Sequence, residues 1–150
     1  LNNLNDILQT IGNGLAGDET LIDWCETNMG DAPAVHLGID PDHPPKGGGP
    51  IIEIATGSRS RNLNTSSIEH QLMVGCMYRD RDLTETDTLT VNNAMTLTND
   101  MAELVELAVV GILDDNHILW QPDKADLPDA LGLGAARAIW CFRVSVRSVI

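Results

Sequence analysis

Four histidines and a scatter of carboxylates are the first residues in this chain that could do chemistry. His36, Asp40, Asp42 and His43 lie close together in sequence, and His70 could approach them across a sheet. Divalent cations are held by such imidazole and carboxylate donors. The spacing argues against a metal site, however. Asp42 and His43 fall in a Pro/Gly stretch, His36 and His70 fall on different extended segments, and no HExxH-type pair fixes two ligands on one face. The expectation is an exposed loop with incidental polar residues and no metal ligand.

Other chemistries have less behind them. Gly47, Gly48 and Gly49 precede an extended run, whereas a phosphate-cradling loop follows a strand and opens a helix. Gly132 and Gly134 read as turn residues. The serines have no GxSxG context. The acid pairs Asp80/Asp82 and Glu85/Asp87 occupy a charged connector rather than the rigid, partly desolvated cleft that acid–base work requires. Cys25, Cys76 and Cys141 are odd in number, far apart and set in apolar patterns, which predicts buried free thiols and a reducing compartment. No catalytic residue and no cofactor follow from the sequence, and the expectation is a protein that is not an enzyme.

The arginines are more suggestive. From Ala136 onward, Ala138, Trp140, Phe142, Val144 and Val146 take every second position, and Arg137, Arg143 and Arg147 stand between them. Strict alternation predicts a long strand with one buried face. The arginine row faces water, pairs with Glu53 or Glu69 on neighbouring strands of the same subunit, or meets a neighbouring copy. Arginine is favoured where ion pairs lie in interfaces. Arg59 and Arg61, in a polar loop from Ser58 to Ser67, belong to the same question.

The elements that would position these residues can be read from periodicity. Leu4, Ile7, Leu8 and Ile11 recur at helical spacing and stop in Gly12-Asn13-Gly14. Asp18 opens a second helix carrying Leu21, Ile22, Trp24 and Cys25, which ends at Gly30. Val35, Leu37 and Ile39 alternate after Pro33, and the stretch from Pro41 to Gly49 breaks regular structure. Ile51, Ile52 and Ile54 mark a strand that stops at Gly57. A long strand from Ile68 to Tyr78 puts Ile68, Leu72, Val74, Cys76 and Tyr78 on one face, and Glu69, Gln71, Met73, Gly75 and Met77 on the other. These two strands predict an extended antiparallel hairpin. The DRDLTETDT segment reads as a solvated connector, and residues 90–112 as the strongest helix, with Leu97, Met101, Leu104, Val105 and Ala108 opposite Asp100, Glu103 and Glu106. A short strand from His117 to Trp120, a loop from Gln121 to Gly134 and the terminal strand complete the chain. The predicted class is α+β: one domain over residues 1–150, a mainly antiparallel sheet with a long hairpin, and helices packed on one face.

Composition narrows the partners. The 150 residues suffice for one domain that buries about two-thirds of its unfolded surface. A formal net charge of -13 disfavours general nucleic-acid binding and docking on anionic membranes. The first fifty residues carry eight acids against Lys46 alone, while Arg137 to Arg147 has three arginines and no acid. Such polarity suits head-to-tail contacts between identical subunits, although a solvated acidic surface that maintains solubility explains many of the acids equally well. No signal-peptide pattern and no apolar run of membrane-spanning length is visible, which predicts synthesis in the cytosol.

The arrangement of LIDWCETNMG leading into a Pro-rich first strand, then a long hairpin, a single long helix before a diverging loop, and a terminal strand AIWCFRVSV resembles the tail terminator, or tail completion, proteins of tailed bacteriophages. The resemblance covers most of the chain in element order. It implies an α+β sandwich fold and a ring, expected to be hexameric, at the head-proximal end of the tail tube. Such a ring ends tube polymerisation and offers a surface to the neck and head-completion proteins. It has no catalytic residues, no cofactor and no membrane, and genome DNA passes through its lumen, where acidic residues would repel phosphates. On this resemblance the protein is a virion component made in the host cytoplasm. The loops Asp40–Pro50, with Asp42 and Lys46, and Gly57–Ser67, with Arg59 and Arg61, would reach a neighbouring subunit, the tube or the lumen. Together with Arg137, Arg143 and Arg147 they form the expected interface. The alternatives are a neck, head-closure or tube-like virion subunit and, of another class, a small cytosolic metal- or ligand-binding domain or enzyme using His36, His43 and His70.

Overall fold

The computed structural model describes residues 3–39, 42–43, 49–61, 67–80, 82–122 and 138–149. For Ser58, Arg61, residues 138–144 and Val149 it describes the backbone. Two helices come first, α1 (Leu4–Ala16) and α2 (Glu19–Met29). Asn3 and Asp6 form a reciprocal capping box at the start of α1. Asp18 caps α2 by accepting from the Leu21 amide at 2.9 Å, and Gly30 closes it in the left-handed region at φ 85°.

Helix α1 does not stop at Gly12-Asn13-Gly14 but runs on to Ala16. The cost of two helical glycines, each about 1 kcal/mol against alanine, is set against close packing that only glycine allows. A Cβ on Gly14 would stand 2.5 Å from Ile112 Cδ1, and one on Gly12 would stand 3.1 Å from Leu37 Cδ2. Leu15, one turn beyond the glycines, extends the buried stripe of Ile7 and Ile11.

The strands are β1 (Ala34–Leu37), β2 (Ile51–Arg61), β3 (Ser67–Tyr78), β4 (Leu83–Glu85), β5 (Thr90–Asn92), β6 (Trp120–Pro122) and β7 (Ala138–Val149). Five form one sheet in the order β1-β2-β3-β7-β6, in which β1 pairs parallel to β2 and every other pair is antiparallel. The expected hairpin is β2 with β3, and it is longer than the sequence suggested. β2 does not break at Gly57. It continues to Arg61 through a bulge between Thr56 and Arg59, so Ser58, Arg59, Ser60 and Arg61 are strand rather than loop. The bulge places two residues, Gly57 and Ser58, opposite Gln71.

Helix α3 (Asn93–Asp115) begins at an Asn92 cap, a turn later than the periodicity suggested. The connector before it is not structureless, for β4 and β5 pair there as a small exposed hairpin held by the Thr86 amide donating to Leu89 O at 2.8 Å. The strand expected over His117–Trp120 is instead Trp120–Pro122, and Pro122 is tolerated because β6 is an edge strand.

All three helices lie on one face of the sheet. α3 packs on β3 and β7, α1 packs on β1 and α3, and α2 packs on α3. Ile7, Ile11, Leu15, Leu21, Cys25, Met101, Val105, Val109 and Leu113 from the helices meet Ile52, Ile54, Leu72, Val74, Cys76 and Val146 from the strands. The alternation seen in the sequence is therefore real. β3 buries His70, Leu72, Val74 and Cys76, and β7 lies in register with it, Val144 opposite Leu72 and Val146 opposite His70. No helix among the described residues is long and apolar enough to cross a membrane.

Candidate interaction surface

The odd-numbered positions of β3 face away from the helices, and register extends their rows across the sheet. Ile51, Met77 and Ile139 form one row; Glu53, Gly75 and Cys141 the next; Ala55, Met73 and Arg143 a third. Gln71 pairs with Ser145, and Glu69 with Arg147. Ile51, Ala55, Met73 and Met77 are half-buried, and among the described residues no helix or strand lies across them. A sheet face with methionine and isoleucine at its centre and charge at its rim is a surface that association would desolvate.

Arg147 settles its own alternative. Its guanidinium donates to Glu69 Oε1 at 3.1 Å, with side-chain exposures of 47% and 39%, so the cross-strand pairing within one subunit holds for this arginine. An ion pair that exposed contributes at most about 1 kcal/mol and is screened by salt. Position 143 falls in register with Met73. Arg137, Lys46 and Asp40 lie outside the described residues. Asp42 is exposed beside His43.

Arg59 does not share a face with that row. The bulge shifts the register by one residue, so Arg59 stands opposite His70, on the helix side of the sheet, and the backbone of Arg61 stands in register with Ile68. Arg59 is exposed there. Arg59 and Arg147 therefore stand on opposite faces of the sheet.

The same register separates the metal candidates. His36 pairs with Glu53 on the open face, whereas His70 is buried on the helix side, so the two cannot converge across the sheet. Among the described residues no group of three or more His, Cys, Asp or Glu could hold a metal ion. His70 instead sits 2.8 Å, Nε2 to Oγ, from Ser148, both nearly enclosed at 6% and 4% exposure. Burial and then the positive charge of Arg59 push its pKa below the ordinary imidazole value of 6.5. Cys25 and Cys76 are buried free thiols, as the sequence predicted, and burial raises the Cys25 pKa to about 11, which removes it as a nucleophile. Burial, with Asp80, Asp82 and Asp31 nearby, raises the Tyr78 pKa.

Two depressions are found among the described residues, the first of them beside the Glu69–Arg147 pair. One of about 190 Å³ wraps the β6 edge, lined by Glu69, Leu119, Trp120, Gln121 and Arg147 among others. The other, about 380 Å³, lies on the outer face of α3 between Glu103, Glu106, Leu107 and Val110. Periodicity treated that helix face as solvated, yet Leu107 is 71% exposed on it. The signal that could have found it is one leucine out of phase with the Leu97, Met101, Leu104, Ala108 stripe. No protein-family model matches this chain, and no curated protein matches it in sequence.

Proposed function

We propose that this protein is a structural subunit of a bacteriophage tail that assembles as a hexameric ring on the head-proximal end of the tail tube. There it ends tube growth and presents the surface on which the neck and head proteins dock. The observation that supports this reading is the one-sided layering: three helices cover one face of a five-stranded sheet, and the other face carries half-buried Ile51, Ala55, Met73 and Met77 with nothing across them among the described residues. The α+β architecture with a long hairpin is also the one that the tail terminator resemblance implies. A subunit built for association needs a scaffold stable by itself and apolar surface in reserve, and this fold has both. The reading through His36, His43 and His70 loses its geometry, because the sheet lies between His36 and His70.

Native mass spectrometry over rising concentration, alone and with purified tail tubes, tests the proposal. A hexamer that forms with concentration or on tubes is the expected result, and Met73→Asp should abolish its attachment to tubes while leaving the circular dichroism of the subunit intact. A wild-type chain that stays monomeric at high concentration and with tubes refutes it.

A further inference from the structure

We propose that the α3 groove is the receiving half of a subunit contact whose other half is the Arg59 end of the β2–β3 hairpin of a second copy. The inference rests on the assembly reading above and adds to it the two surfaces that meet. The depression is lined by exposed Leu107 and half-buried Val110 together with Glu103 and Glu106, both exposed. An exposed leucine flanked by two glutamates one helical turn apart fits a side chain with an apolar stem and a cationic head. Arginine meets that description, and its planar fork can bridge two carboxylates.

Arg59 is placed to supply it. β1 pairs with β2 only as far as Ile54, so Arg59 lies five residues further along the hairpin, roughly 16 Å beyond the last β1 partner. The bulge turns it to the helix side, and among the described residues no carboxylate pairs with it. Arg79, another exposed arginine, lies just past β3 and is followed directly by Asp80. In a chain of net charge -13 with nine cationic residues, an exposed arginine with no carboxylate partner among the described residues is a directional signal. Donor and acceptor are different patches of one chain, so the contact is heterologous and closes into a ring when the rotation between copies permits.

A charge-exchange series tests the contact by sedimentation velocity on the full chain. Arg59→Glu, the pair Glu103→Lys with Glu106→Lys, and Leu107→Asp should each raise the half-assembly concentration by about tenfold or more, the scale of rim ion pairs turned into repulsions. Combining Arg59→Glu with both lysine substitutions should bring it back to within about threefold of wild type. All these positions are exposed, and far-UV circular dichroism checks that each variant folds. Reversals that leave assembly unchanged, or a combined variant no better than its parents, overturn the contact while the ring reading stands. Wild-type protein that never assembles overturns both, and a reciprocal dimer in which exchange rescues assembly supports the contact and refutes the ring.

Discussion

Removing the Ser148 hydroxyl should expose how much the His70 bridge contributes to holding β7 on β3. Ser148→Ala leaves the His70 ring, 6% exposed, without the partner that its Nε2 has at 2.8 Å. Orphaning a buried polar group costs about 1–3 kcal/mol, whereas removing both partners costs much less than the two losses added together. The double variant His70→Leu with Ser148→Ala should therefore be at least about 1 kcal/mol more stable than the sum of the single effects predicts. Urea denaturation followed by circular dichroism gives all four stabilities. A Ser148→Ala cost below about 0.5 kcal/mol, or strict additivity, would refute the reasoning.

The same pair carries a pH signature with a definite sign. The folded-state pKa of His70 lies below the 6.5 of a free imidazole, because burial and then Arg59 disfavour the imidazolium. As pH falls through 6.5 the unfolded chain takes up a proton that the folded chain refuses, so stability drops. The loss approaches about 1.4 kcal/mol per pH unit between the two pKa values and levels off below the folded one. The full contribution is present above pH 6.5. The informative quantity is the difference between wild type and His70→Gln, which keeps a polar side chain without the titration and cancels whatever the two proteins share. Parallel stability curves for the two proteins between pH 7.5 and 5 would sink the assignment.

Two glycines on facing helices should respond oppositely to alanine. In Gly14→Ala the new methyl meets Ile112 Cγ1 at 2.7 Å, and overpacking of about 1–3 kcal/mol outweighs the gain of about 1 kcal/mol in helix propensity; Gly111→Ala on α3 meets nothing within 4 Å and should stabilise by up to about 1 kcal/mol. Thermal melts of both variants check the pair, and a stabilising Gly14→Ala would show that α1 and α3 are not in close contact. Thr98, 1% exposed on α3 with its Oγ1 lacking a partner among the described residues, should gain about 1 kcal/mol on replacement by Val, read as a melting temperature higher by about 2–4 °C.

Local chemistry made some elements legible and hid others. Asp18 and Gly30 delimit α2 because capping acts within a few residues. The alternation in β3 gave the buried face directly, since burial is periodic along a strand. The α1 glycines misled because the packing that offsets their cost comes from Leu37 and Ile112, residues distant in sequence. The parallel pairing of β1 is likewise a property of the sheet and not of the four residues that make it. The arginines were legible as a set of unusual charges, but where each stands was not, and among the described residues Arg147 has the intrasubunit partner Glu69.

The bulge in β2 decides what kind of assembly those arginines can support. Without it, simple alternation from Ile51, Glu53 and Ala55 would carry Arg59 onto the open face with the Arg147 row. One extra residue puts Arg59 opposite His70 instead, on the helix side. Cations on both sides of a sheet cannot serve a single flat interface, so the chain offers two distinct surfaces. The open face is apolar at its centre, and Arg147, exposed on it, is already paired with Glu69. The helix face has the acidic groove of α3 and, at the far end of the hairpin, an arginine suited to it. A subunit of this kind can bind a copy of itself through one surface and keep the other for a different partner, which is what a ring standing between a tail tube and a neck requires.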